Sequence, residues 1–144
     1  MRRFLTIAGF VVVTVLACLA AKETVQQLVA RAEAARPEDR PGLYVEIAER
    51  QLKAVDELFG AAKDEDALGA VKDVVRYSEK AHDAALVSGN RLKNTEIALR
   101  KMAAKLRDIK RTVSFDDQAA LQAASDRLEA LRTDLLSKMF GKGK

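Results

Sequence analysis

The sequence has little cysteine, proline, glycine or aromatic residue, and each shortage excludes something. Its only cysteine, Cys18, cannot form an intramolecular disulfide or a cysteine-based zinc site. Two prolines and seven glycines among 144 residues leave room for long regular elements. Tryptophan is absent and aromatic residues are 5% of the chain, a composition that suits helix packing better than sheets. We therefore predict an all-α fold.

The common motifs of catalytic and cofactor sites are missing as well. With one histidine, His82, the chain cannot supply the pair of Glu-x-x-His motifs that di-iron bundles use. It has no Cys-x-x-Cys-His for covalent haem, and no Gly-x-Gly-x-x-Gly or P-loop for nucleotides. A Ser–His–Asp site would depend on His82, and no nucleophile-turn motif accompanies it. We expect no enzyme activity and no cofactor, and we predict that His82 is structural.

Charge is present in quantity and is unevenly distributed. The chain carries 25 basic and 21 acidic residues, for a formal net charge of +4. With 32% charged and 49% apolar residues, it has the balance of a folded domain rather than a disordered chain. Residues 91–115 sum to +6, whereas residues 41–62 and 63–90 each sum to −2. The excess positive charge therefore belongs to one segment.

The N-terminus has the form of an export segment. Arg2 and Arg3 precede an uncharged run of 18 residues, Phe4 to Ala21. Cleavage after Ala20 or Ala21 would release the remainder as a free protein. An uncleaved anchor is an alternative, because residues 4–21 nearly reach the ~20 residues that span a bilayer.

A third fate of this segment is lipidation. Val15-Leu16-Ala17-Cys18 resembles the bacterial lipobox, which implies a lipid-modified Cys18 as the new N-terminus. All three fates place the remaining chain outside the cytoplasm. We therefore expect an exported protein of a bacterium, in the periplasm or on the outer face of a membrane.

After the export segment the chain shows several helical patterns. Residues 22–36 are either a stalk or a short fifth helix leaning on the others, before Pro37 and Pro41 interrupt the pattern. Four main helices follow, and their short connections favour an up-and-down antiparallel bundle. The predicted parts are 1–21 (signal peptide or membrane or lipid anchor), 22–42 (short helix and linker), 43–140 (helical bundle) and 141–144 (basic tail).

Helix 91–113 organises this bundle, because its apolar residues recur every 3.5 residues. Its predicted seam is Leu92, Thr95, Leu99, Met102, Leu106, Ile109 and Val113. The last helix repeats the pattern at Leu121, Ala124, Leu128, Leu131 and Leu135. We expect Phe115 to tuck under the preceding turn, and Met139 with Phe140 to close the end of the bundle.

Helix ends are marked by polar residues and glycine. Gly89 suits the left-handed position after one helix, and Asn90 is expected to cap the next. Ser114 and Asp117 have the spacing of a capping box. The triplet Asp64-Glu65-Asp66 could suggest a metal site, but acidic residues in a first helical turn also satisfy the helix dipole, and we favour that interpretation.

The basic side of helix 91–113 is the one candidate binding surface. Lys93, Arg100 and Arg107 form an outward row, with Lys101 and Lys105 beside it. One interpretation is electrostatic fit within the fold, with Asp73, Glu79 and Asp83 of the preceding helix as partners. The other is a contact for an anionic lipid, envelope polymer or acidic protein. Nucleic acid is disfavoured by the export segment and by the lack of interleaved aromatic residues.

One family resemblance bears on function. Residues Ala67-Leu68 to Ala81, after the helix Leu43–Phe59, resemble a single tetratricopeptide hairpin, which would imply peptide binding. It covers about 45 residues and no second copy follows at the ~34-residue step of that family.

The leading hypothesis for function is an exported, non-enzymatic interaction or structural protein of the cell envelope. Its partner would be an unknown protein or an anionic envelope component. The alternatives are a periplasmic ligand-binding or chaperone-like helical protein, and a tetratricopeptide-like module. Self-association into a homo-oligomer through remaining seams is also open.

Overall fold

The computed structural model describes residues 22–141 as five packed α-helices, with no strand among these residues. The prediction of an all-α fold is confirmed. The predicted export segment with Cys18, and residues 142–144 of the predicted basic tail, lie outside the described residues. The helices are α1 (Val25–Ala34), α2 (Arg40–Gly60), α3 (Asp64–Ser88), α4 (Leu92–Lys110) and α5 (Phe115–Phe140).

The segment 22–36 contains a true helix that packs on its neighbours. Thr24 and Gln27 form a capping box, in which each side chain accepts from the other residue's backbone N–H. Leu28 and Ala32, one turn apart on the same face, are fully buried in the common core. Of the two predicted alternatives, the leaning helix is therefore the observed one.

Helix α2 begins at Arg40, three residues before its predicted start at Leu43. Pro41 lies in the first turn, where its fixed φ and missing N–H suit a helix start. Its buried residues include Tyr44, Ile47, Ala48, Leu52 and Val55, which share one side of the helix, and Gly60 is the last helical residue. Helix α3 begins at Asp64, and its acidic triplet is exposed in the first turn as expected.

The seams of α4 and α5 are buried as predicted. In α4 every seam residue from Thr95 to Ile109 is buried, while Leu92 and Val113 at its two ends are partly buried. All five seam residues of α5 are buried. The 3.5-residue spacing of apolar residues along a single helix thus identifies the face that the neighbouring helices bury.

Contacts between helices give their relative directions. Helices α4 and α5 run antiparallel, because Glu96 near the start of α4 meets Arg132 near the end of α5. Helices α3 and α5 run parallel, since their contacts advance together along both chains, from Glu79–Arg127 to His82–Asp134. The first turns of α3 and α5 therefore lie at the same end of the molecule.

Of the two predicted N-caps, Asn90 is wrong, whereas Ser114 is the N-cap of α5 but does not form the predicted capping box. The cap of α4 is Arg91 in a left-handed conformation (φ 58°), not Asn90. Gly89 has the predicted left-handed conformation (φ 67°). Arg91, two residues later, is left-handed as well, so α4 begins at Leu92. Ser114 donates to the Asp117 carboxylate at 2.7 Å instead of accepting from the backbone, because an ionised acceptor makes the stronger bond.

The predicted burial of two aromatic residues is also wrong. Phe115 is 86% exposed and Phe140 is 77% exposed, and they are the first and last residues of α5. The neighbouring helices do not cover these ends, so the aromatic rings have nothing to pack under. Met139 is partly buried.

Candidate functional site

The five basic residues predicted as a contact surface on α4 fall into two groups. Lys93, Arg100 and Lys101 are exposed, and they make no ion pair or side-chain hydrogen bond within residues 22–141. Residues seven and eight apart share one side of a helix, so these three cations lie along about two turns, or about 10 Å. We call this surface, Lys93, Arg100 and Lys101, the α4 basic face.

Lys105 and Arg107 instead serve the fold. The Lys105 ammonium lies 2.9 Å from the Asp56 carboxylate on α2, and this hydrogen bond raises the pKa of Lys105. Arg107 donates to Ser125 at 3.1 Å and to Glu129 at 3.2 Å, both on α5. These two residues connect α4 to its neighbours on both sides, which leaves the α4 basic face as the part open to a partner.

The acidic partners expected for the basic helix are not the ones observed. Glu79 pairs with Arg127 of α5 at 2.7 Å, and Asp83 lies 2.8 Å from its neighbour His82. Asp56 and Glu129 take the expected role instead. Electrostatic fit thus accounts for part of the basic helix and not for the α4 basic face.

The sequence patterns did not predict a partly buried ion pair that lies beside this face. Glu96 is 7% exposed, and its carboxylate lies 2.6 Å from the Arg132 guanidinium on α5. Arg132 also reaches Glu129 at 3.2 Å, and its hydrogen bonds to Glu96 and Glu129 raise the pKa of Arg132. The available signal was the position of Glu96, which directly follows the seam residue Thr95.

Arg91 extends the positive potential to the start of α4. Its side chain lies against Gly42 of α2, where an added Cβ would come within 3.4 Å of the guanidinium. Both residues line a surface pocket of about 500 Å³, together with Arg31, Asp39 and Glu46. Because this pocket contains charges of both signs, it adds less positive potential than the α4 basic face.

His82 is buried and joins α3 to α5. Its Nδ1 lies 2.8 Å from Asp83 and its Nε2 lies 2.8 Å from Asp134. A neutral imidazole carries one N–H, so both contacts are hydrogen bonds only when the ring is protonated. Within residues 22–141 no group of three or more metal-ligating side chains of the His, Cys, Asp or Glu types is assembled.

A second cluster joins α1, α2 and α3. Tyr44 and Tyr77 stack with their ring centroids 6.4 Å apart, and the Lys80 ammonium lies 5.4 and 5.8 Å from the two centroids. Lys80 also pairs with Glu33 of α1 at 3.0 Å, and this contact lowers the pKa of Glu33. Burial, followed by the nearby Glu33 charge, raises the pKa of Tyr44. These contacts hold α1 in place.

No protein-family model, curated protein or solved structure matches the chain. Within the described residues, no helix combines the length and the apolar character needed to cross a bilayer.

Proposed function

We propose that this chain is an exported, non-enzymatic interaction or structural protein of a bacterial cell envelope, and that the α4 basic face contacts an anionic partner. One observation supports this proposal above the others. Three like charges share one exposed side of α4, and none of them forms an ion pair with an acidic group among residues 22–141. Such a face attracts an anion and repels other cations.

The scaffold in this proposal is an up-and-down antiparallel bundle of the four main helices α2 to α5, with α1 as a short fifth helix. The antiparallel pair α4 and α5 and the parallel pair α3 and α5 support this arrangement. In it, α4 presents its seam to the core and its basic side outward. The partly buried pair Glu96–Arg132 lies beside this face and joins α4 to α5.

The small binding energy expected for the α4 basic face suggests that the protein is attached to the membrane at a second point as well. Each basic residue near an anionic lipid surface contributes about 1 kcal/mol, so three give about 3 kcal/mol. Such a contact is weak alone. An uncleaved segment 4–21 or a lipidated Cys18 would hold the protein at the membrane and raise the effective concentration of the face there.

The face is tested with vesicles of anionic or neutral phospholipid and the full chain. Replacing Lys93, Arg100 and Lys101 with glutamine is expected to weaken binding to anionic vesicles roughly 100-fold, following the same 1 kcal/mol per residue. The control replaces Arg36, Lys63 and Lys138, three exposed cations elsewhere, and changes net charge equally. Equal losses in both variants would show general charge attraction and remove the specific face.

The proposed location is tested by the intact mass of the protein recovered from membrane and soluble fractions. A chain that begins at a lipid-modified Cys18 supports a tethered protein. A chain that begins at Ala21 or Lys22 supports a free exported protein, whose anionic partner is then soluble or polymeric. Recovery of the unprocessed chain from the cytoplasm would contradict export.

A further inference from the structure

The second halves of α3 and α5 meet at a cluster of ionisable side chains. Glu79, His82 and Asp83 of α3 and Arg127 and Asp134 of α5 line a cavity of about 290 Å³ there. With a neutral imidazole, this cluster holds three carboxylates against one guanidinium. A proton on the imidazole reduces that excess of negative charge and is attracted by it.

The contacts within the cluster leave two carboxylates to the imidazole. Arg127 is engaged by Glu79, 2.7 Å away. Asp83 lies 2.8 Å from Nδ1 of His82, and Asp134 lies 2.8 Å from its Nε2. Neither aspartate forms a second ion pair within residues 22–141. The ring therefore stands between two acceptors, one on its own helix and one on α5.

The positions of these acceptors require a proton on each ring nitrogen. A neutral imidazole has one N–H and one nitrogen with a free lone pair, and an ionised carboxylate can only accept. At 2.8 Å, the nitrogen without a proton would face an oxygen lone pair with no hydrogen between them. Burial of the His82 side chain, which is 10% exposed, disfavours a charged ring, whereas two carboxylates in contact favour it.

Charged groups elsewhere do not replace the imidazole in this role. Asp83 also borders a cavity that contains Arg40 and Lys80, but Lys80 pairs with Glu33 and Arg40 donates to a backbone carbonyl. On α5, Lys138 is exposed and forms no ion pair among the described residues. Helices α1 and α4 contribute no residue to either cavity.

We propose that His82 is a proton-operated latch, which fastens the second half of α3 to α5 when its ring is doubly protonated. When the ring loses one proton, one of its two contacts becomes repulsive. A ring that keeps Asp83, its neighbour on the same helix, releases α5. A ring that keeps Asp134 turns Asp83 away, and the remaining bond loses its positive donor and becomes weaker.

Few other groups hold this part of the α3–α5 contact. Ala81 and Ala85, the fully buried residues on either side of His82, are small and remove little apolar surface from water. Within residues 22–141, the other side-chain hydrogen bond between α3 and α5 is Glu79–Arg127, whose side chains are 40% and 51% exposed and so are screened by water. Loss of the ring proton should therefore be measurable in the stability of the fold.

The latch is tested by urea unfolding of the full chain in nonionic detergent, at about pH 5.5 and about pH 7.5. Histidine side chains titrate between these values, and His82 is the only histidine. Because the folded contact holds the second ring proton, stability should be greater at the lower pH and should fall as pH rises. The unfolding constant is expected to increase at least about threefold, and His82→Gln should remove this increase.

Two variants of α5 show whether Asp134 is the partner across the contact. Asp134→Asn removes the charge that the ring proton meets on α5, and it should reduce the pH dependence by at least about half. Asp126→Asn makes the same change at an exposed aspartate bonded to Gln122, and it should keep the dependence of the wild type. A wild type with no dependence, a dependence retained by His82→Gln, or equal results for the two asparagine variants would each overturn the latch.

A second measurement needs only the wild type, so it does not depend on whether a variant folds. Histidine labelled with nitrogen-15 gives NMR signals from the His82 ring alone. At about pH 5.5, both ring nitrogens should carry a proton, and both protons should exchange slowly with water because each is hydrogen-bonded. A neutral ring, or ring protons that exchange too fast to be observed, would contradict the proposal. The latch is independent of the α4 basic face, which contributes no residue to this cavity.

Discussion

At the scale of single residues, the pairs between helices differ in how much they stabilise the fold. Lys105 and Asp56 are about half exposed, and pairs so accessible to water contribute little to stability. Glu96 and Arg132 have side chains 9% and 28% exposed, so water screens their charges less. Among the polar contacts of α4, the Glu96–Arg132 pair should therefore stabilise the fold more than the pairs of the more exposed cations do.

This difference predicts an asymmetry between two substitutions. Arg132→Ala leaves the buried Glu96 carboxylate without its partner and should lower the free energy of unfolding. Glu96→Ala removes the buried charge itself and leaves Arg132 paired with Glu129, so its cost should be smaller. Urea unfolding measures both, with Lys105→Ala as a control expected to cost less than Arg132→Ala. The reverse order would show that Glu96 is not buried as described.

At the scale of helices, periodic burial is what the sequence predicts best. The seams of α4 and α5 need only local spacing, and every central seam residue is buried. Contacts between residues far apart in the sequence could not be predicted from local spacing. The partners His82–Asp134 and Glu79–Arg127 are 52 and 48 residues apart, and no local pattern links them. The exposure of the Phe115 ring likewise depends on distant residues, because none of the described neighbouring helices covers it.

The seams themselves can be tested by placing a charge in them. Leu99 and Leu128 are fully buried, and a lone buried carboxylate costs several kcal/mol against a typical total stability of about 5–15 kcal/mol. Leu99→Asp and Leu128→Asp should each abolish cooperative melting followed by far-UV circular dichroism. Phe115→Asp, at an 86% exposed position in a first helical turn, should melt like the wild type. Cooperative melting of either leucine variant would refute the seam assignment.

At the scale of the whole molecule, different surface features belong to different helices. The α4 basic face lies on α4, whereas a shallow apolar groove lined by Leu68, Val71 and Ala123 is built from α3 and α5 alone. The sequence indicated the charge of α4 but not this separation, because the groove appears only when α3 and α5 lie side by side.

The tyrosine pair has a practical consequence for spectroscopy. The chain has no tryptophan, and Tyr44 and Tyr77 are its only tyrosines. Both rings are buried and stacked under Lys80, at the junction of α1, α2 and α3. Tyrosine fluorescence of the native protein therefore originates from a single location, and its change during unfolding follows the release of that junction, because α4 and α5 contain no tyrosine.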